Sequence, residues 1–204
     1  MADFATRDPR RPDFWDERFN RSFTPWDKGA VPHDLQRFVE AAARPLACLI
    51  PGCGNGYEAA YLAQAGWPVV AIDFSPAAVQ SAKTVIGEWG KCVLEADFFT
   101  YQPGQMLDLI YERAFFCALP AEMRPAIVQR WAALLPAGAT LAGYFFFDDT
   151  DGASKKGPPF AISSTEFAKL MSPFFELLEE HAVSDSLPVF AGKEYWQVWQ
   201  RKAV

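Results

Sequence analysis

The densest chemical signal in the sequence is the run Pro51-Gly52-Cys53-Gly54-Asn55-Gly56. Glycines at this spacing let a chain turn tightly and bring its backbone close to a ligand. A helix starting behind such a turn aims unpaired N–H groups at an anionic group. Asp73 follows Gly54 by 19 residues and closes an apolar run, a place from which a carboxylate can accept hydrogen bonds from a ribose diol. Asp97-Phe98-Phe99 closes another, where an acid can reach an adenine amino group with an aromatic ring against the base. A turn-capping role is the plainer reading of Asp97. Arg113 brings a permanent charge into the stretch Ile110–Leu119, where it can hold an anion or favour a thiolate over a thiol. Its structural use would be an ion pair with Asp97, Asp108 or Glu112. The glycine pattern is GxGxG. Tyr57 stands where the dinucleotide fingerprint needs its third glycine, which counts against a nicotinamide oxidoreductase.

Apolar runs at 46–50, 69–74, 92–98, 107–111 (reaching toward 116) and 140–147 read as buried strands, followed by strands at 174–182 and 194–201. Helices are expected over 56–65, 77–86, 121–135 and 165–171, the second opened by Ser75 as cap and Pro76 in the first turn. This alternation implies βαβ crossovers and a mostly parallel sheet with helices on both faces, its last strand antiparallel. Ligands of such sheets sit outside the carboxyl ends of the strands, where the glycine turn, Asp73, Asp97 and Arg113 fall. Residues 1–45 form a preceding segment with helices near 12–20 and 33–43. Trp15 and Phe19 lie on one face of the first. With Trp26 they could cover a ligand or pin the segment to the core.

The chain's 204 residues suit a single domain, and 15% aromatic residues exclude a disordered one. Nineteen basic against 25 acidic residues, net −6, argue against a nucleic-acid substrate. No apolar run reaches the ~18 residues of a membrane span. Four cysteines without a CxxC pair suit a reduced, cytoplasmic setting and no metal, and Asp148, Asp149 and Asp151 read as a solvated loop. His33 and His181 are expected to be structural or solvated.

These segments resemble the class I S-adenosylmethionine-dependent methyltransferases, and more narrowly the thiopurine S-methyltransferase and thiol/halide methyltransferase family. The matching stretches are residues 14–19, the Thr24-Pro25-Trp26-Asp27-Lys28-Gly29 element, the glycine turn, 97–99, 108–125 and Gly157-Pro158-Pro159-Phe160. The resemblance implies a Rossmann-like seven-stranded fold, residues 1–45 being an N-terminal aromatic lid and 46–204 the cofactor-binding core. It implies S-adenosylmethionine as cofactor and a small-molecule acceptor: a thiol, thiopurine-like heterocycle, halide or chalcogen anion. Cofactor contacts would fall on Trp15, Phe19, Trp26, Gly52, Gly54, Asp73, Asp97, Phe98 and Arg113, with Arg113 also catalytic. Position 19 is often Trp in that family and is Phe here. The asparagine- or aspartate-led Pro-Pro-aromatic motif of amino-methylating enzymes is missing after the fourth strand, where residues 116–120 stand. A monomer or weak homodimer is expected; the alternative is a binding module that keeps the cofactor but not the reaction.

Overall fold

The computed structural model describes residues 4–154 and 156–203. An N-terminal segment carries α1 (Pro12–Asn20) and α2 (His33–Ala41). It leads into β1 (Cys48–Pro51), α3 (Tyr57–Gln64), β2 (Val69–Asp73), α4 (Pro76–Ile86) and β3 (Val93–Glu95). The chain continues through β4 (Leu109–Arg113), α5 (Arg124–Leu134), β5 (Thr140–Phe146), α6 (Ser164–Met171), β6 (Phe175–Ala182) and β7 (Glu194–Arg201). The seven strands form one sheet in the order β3-β2-β1-β4-β5-β7-β6. Only β7 runs antiparallel to its neighbours, as expected of the last strand.

The apolar strands are buried on both faces. Along β1, Cys48 and Ile50 join a cluster under α2, α3 and α4 that includes Leu35, Leu62 and Val79. Leu49 points the other way, into a cluster with Ile127, Trp131 and Phe167 from α5 and α6. This explains near-continuous apolar strands, since a parallel sheet covered on both sides has no solvent face. From β1 the chain steps outward to β2 and β3, then returns to the other side of β1 as β4. That reversal leaves a crevice at the carboxyl ends of β1 and β4.

Three of the boundaries that differ from the sequence reading bear on the site or its supports. The third strand stops at Glu95, so Asp97 stands in the following turn. The helix expected over 121–135 begins as a 3-10 turn and becomes α-helical at Arg124, with a proline in its first turn. The fourth strand ends at Arg113 and does not extend toward Phe116. The cause is the buried Glu112 carboxyl group, whose Oε1 accepts from the amides of Phe115 (2.9 Å) and Phe116 (2.8 Å) and curls the chain back. Ala114 takes up the reversal at φ 57°.

Burial pushes the Glu112 carboxyl up to about 8, and the two amide donors oppose this only in part. An acid raised in the folded state holds its proton there while the unfolded chain has lost it. Glu112 therefore costs stability progressively as pH rises from about 5 to about 8, and no more above that. Glu112→Gln keeps an acceptor oxygen for both amides. Its thermal midpoint is expected to match wild type near pH 5 and to exceed it by several degrees at pH 8. Parallel midpoints across that range would assign the slope to another group.

Candidate active site

One cleft of about 580 Å³ opens along the crevice, and Trp15, Phe19, Trp26, Gly52, Gly54, Asp73, Asp97, Phe98 and Arg113 all line it. Its floor begins with the glycine turn after β1. Gly52, Gly54 and Gly56 have φ of 61°, 52° and 73°, values that favour glycine. At Gly52 space adds a second constraint: a Cβ there would lie 2.7 Å from Phe115 Cδ2. The turn ends at the amino end of α3, where the first N–H groups lack helical partners and suit an anionic ligand group.

Asp73 closes β2 at 7% exposure. Its Oδ2 accepts from Gly54 N (3.2 Å) and its Oδ1 from Ser75 N (3.0 Å), so the carboxylate is fixed against the turn. Burial raises its pKa to about 6, against those bonds. Each oxygen keeps a lone pair for a ligand hydroxyl. Asp97, in the exposed turn after β3, accepts from Phe99 N through Oδ1 (2.9 Å), the capping contact of its plainer reading, and keeps Oδ2 free of a protein donor among the described residues. Phe98 beside it is buried against Phe115, ring centroids 5.1 Å apart.

Trp15, Phe19 and Trp26 form the roof: Trp26 meets Trp15 edge-on at 5.4 Å and Phe19 at 6.2 Å. Polar ties hold this roof down. Asp16 Oδ1 accepts from Ser75 Oγ (2.6 Å) and Ala77 N (3.0 Å), capping α4 from a different helix. Asn55 of the glycine turn donates to Asp27 and accepts from Ser81 Oγ. Lys28 pairs with Asp185, in the loop between β6 and β7 that also brings Val189 and Phe190 to the cleft. Asp16→Ala removes a helix cap and is expected to cost about 1 kcal/mol, read as a lower urea midpoint. Because α1 carries the roof, the variant should also bind a nucleoside ligand more weakly. Full stability with unchanged binding would mean that the tie is idle.

Arg113, the last residue of β4, has none of its expected partners. Asp108 is taken by Arg44 (2.8 Å). The partner is Glu58, in the first turn of α3, at 3.4 Å. The Arg113 guanidinium also stands over the Tyr144 ring, 5.2 Å from its centroid. Burial raises the Glu58 pKa and Arg113 works against the rise. Among the described residues Arg113 Nε has no partner, nor has the hydroxyl of Tyr111, which stands on the same face of β4. Glu58, Tyr111, Asp16 and Asn55 escape a search for motifs, because each is recognised only by what it touches. Across the cleft, Cys117 lies beside the 157–160 loop. Phe160 N donates to Cys117 O, and Arg124 Nη2 donates to Phe160 O and Ala161 O.

The remaining candidates are structural. His181 Nε2 is 3.0 Å from Asp34 Oδ1, and His33 Nδ1 lies 3.5 Å from Asp185. Asp148 pairs with Lys193, and Asp149 accepts from Ser164. Among the described residues no cluster suited to a metal occurs, and no helix is long and apolar enough to cross a membrane.

The model of the thiopurine S-methyltransferase family matches residues 10–202. The chain belongs to that family. It is therefore a methyltransferase, and the match takes in the aromatic roof as well as the sheet. Thiocyanate methyltransferase 1 of Arabidopsis thaliana is 29% identical over 92% of this chain and 84% of its own length. A probable thiol methyltransferase 2 of the same plant is 33% identical over 78% and 71%. Among solved structures, the 1,6-didemethyltoxoflavin-N1-methyltransferase of Burkholderia thailandensis, with its substrate and S-adenosylhomocysteine bound, superimposes with a TM-score of 0.76. It is 16% identical, over 99% of this chain and 94% of that one. That likeness is one of Rossmann-like methyltransferase fold.

Proposed function

We propose that this family member transfers the methyl group of S-adenosylmethionine to a small soft nucleophile: a thiol, a thiopurine-like heterocycle, a halide or a chalcogen anion. The observation that carries this reading is the meeting, in one cleft at the β1/β4 crevice, of the glycine turn, the buried Asp73 carboxylate, an aromatic roof and Arg113. The cofactor suits these residues. The turn and the amino end of α3 would take its amino-acid portion, Asp73 its ribose hydroxyls, and Asp97 with Phe98 its adenine. Trp15, Phe19 and Trp26 offer ring faces to the positive sulfur, each attraction being worth ~0.5–2 kcal/mol.

When bound, the cofactor supplies an electrophilic methyl carbon. The chain's own residues align the acceptor and keep water out, and in a displacement between opposite charges alignment and dryness supply most of the acceleration. Arg113 favours the ionised acceptor, so no general base is needed. This agrees with histidines engaged elsewhere. The acceptor is a small molecule, met in the cytoplasm, and the chain acts as a monomer or weak homodimer.

Titration with S-adenosylhomocysteine, followed by transfer of labelled methyl to a panel of thiols, iodide, thiocyanate and hydrosulfide, tests the reading. Binding together with turnover of at least one acceptor is the expected result. Binding without any turnover would leave a cofactor-binding module, and binding of NAD in its place would remove the cofactor assignment.

A further inference from the structure

Arg18 is 91% buried by its 9% exposure, and it lines the cleft. Its guanidinium carbon lies 3.2 Å from the centroid of the Phe14 ring and 4.3 Å from that of Phe4. One terminal nitrogen, Nη1, donates to Phe14 O at 2.6 Å, which fixes the rotation of the head. Among the described residues no carboxylate lies within ion-pair distance of it. Its neighbour Glu17 is turned away, accepting from Ala5 N, Thr6 N and Thr6 Oγ1 and pairing with Arg21. Through space the Glu17 charge still favours the Arg18 cation, more than Arg7, which also lines the cleft, opposes it.

A buried cation is normally paired, because desolvation is costly. Here two aromatic faces offset part of that cost, while among the described residues neither Nε nor Nη2 donates to a protein acceptor. A planar two-nitrogen edge held in a fixed direction is the shape that receives a carboxylate in parallel hydrogen bonds. Arg18 also shares α1 with Trp15 and Phe19, one turn along the helix from the roof over the methyl donor.

Resting on the methyl-transfer reading above, we propose that Arg18 forms a carboxylate subsite in the cleft wall, so that the preferred acceptor is a thiol bearing an acid group a few atoms from its sulfur. Arg113 and Arg18 then divide the work: the first attracts the sulfur that reacts, the second the acid that does not.

The test compares 3-mercaptopropionate with propane-1-thiol in wild type, Arg18→Met and Arg18→Lys. Methionine keeps the stem against Phe4 and Phe14 and removes the donors. The expected result is a KM for 3-mercaptopropionate at least tenfold higher in Arg18→Met, a partial loss in Arg18→Lys, and propane-1-thiol changed less than twofold. A second readout needs no turnover: calorimetric titration of 3-(methylthio)propionate into protein loaded with S-adenosylhomocysteine, expected to weaken at least tenfold in Arg18→Met. Equal losses for both thiols, or no loss for either, overturn the subsite. Weakened binding of S-adenosylhomocysteine itself also overturns it, since Arg18 would then hold the cofactor's own carboxylate. Wild-type protein that binds the acid through Arg18 yet methylates neither thiol would support the subsite while removing the methyl-transfer reading.

Discussion

Replacing Asp73 by alanine is expected to weaken S-adenosylhomocysteine binding by roughly ten- to a hundredfold, the ~1–3 kcal/mol that follows when buried hydroxyl donors lose their acceptor. The variant also frees the amides of Gly54 and Ser75, both now fixed by this carboxylate. The turn loosens at the point where backbone must meet ligand, which places the effect toward the upper end. Asp73→Asn separates the two contributions: its single oxygen can serve one amide, and its amide nitrogen opposes the other. The pH dependence is a further signature. With its pKa raised to about 6 by burial, Asp73 is ionised at pH 7 and takes up a proton as pH falls through 6. Ligand hydroxyls donate to the ionised form, so wild-type affinity should hold near pH 8, fall between pH 7 and 5, and show no such fall in Asp73→Ala. Calorimetric titration over that range decides the matter. Unchanged affinity in the alanine variant would take Asp73 out of the site.

How much of this was visible in the sequence depends on whether a residue acts locally or through a distant partner. The glycine turn was legible because three glycines between an apolar run and a helix have few other uses, and the left-handed φ at each matches that expectation. The sheet was legible because its central strands are apolar runs separated by helices, and the direction of β7 because it follows closely on β6. The end of β4 was misread for the opposite reason. Glu112, Arg113 and Ala114 continue a pattern that a strand could carry into Phe115 and Phe116, yet one buried carboxyl group bonding two amides turns the chain. Arg113 likewise sits where the sequence puts it, but its partner Glu58 is 55 residues away, brought close only when the carboxyl end of β4 meets the first turn of α3. The aromatic arm shows the same divide. The helical spacing of Trp15 and Phe19 was readable, whereas its anchoring through Asp16 to the cap of α4 was not, because no local pattern marks an acid that caps another helix.

The second large effect is expected at Arg113. Arg113→Met should lower kcat/KM for iodide, thiocyanate or hydrosulfide by about a hundredfold or more, in line with the ~2–5 kcal/mol lost when one partner of a buried charge contact is truncated. S-adenosylhomocysteine affinity should change far less, since the guanidinium would act chiefly on the acceptor. The variant leaves Glu58 beside the cleft without its counter-charge. Burial already raises that carboxyl and Arg113 is what restrains the rise, so in Arg113→Met it takes up a proton and the residual charge is removed. The protein should therefore stay folded, though less stable at pH 8 than at pH 6, because high pH forces a buried, unpaired acid to ionise. Glu58→Gln distinguishes attraction from positioning. If Glu58 merely holds the guanidinium in place, the glutamine variant, which keeps a hydrogen-bond acceptor, retains most activity. If its charge tempers the pull of Arg113, glutamine lowers KM for anions while leaving a neutral acceptor unaffected. The double variant Arg113→Met with Glu58→Gln should then be no worse than Arg113→Met alone, a non-additivity expected of groups in direct contact. Losses in Arg113→Met that are equal for anionic and neutral acceptors would show that Arg113 serves the fold and not the acceptor.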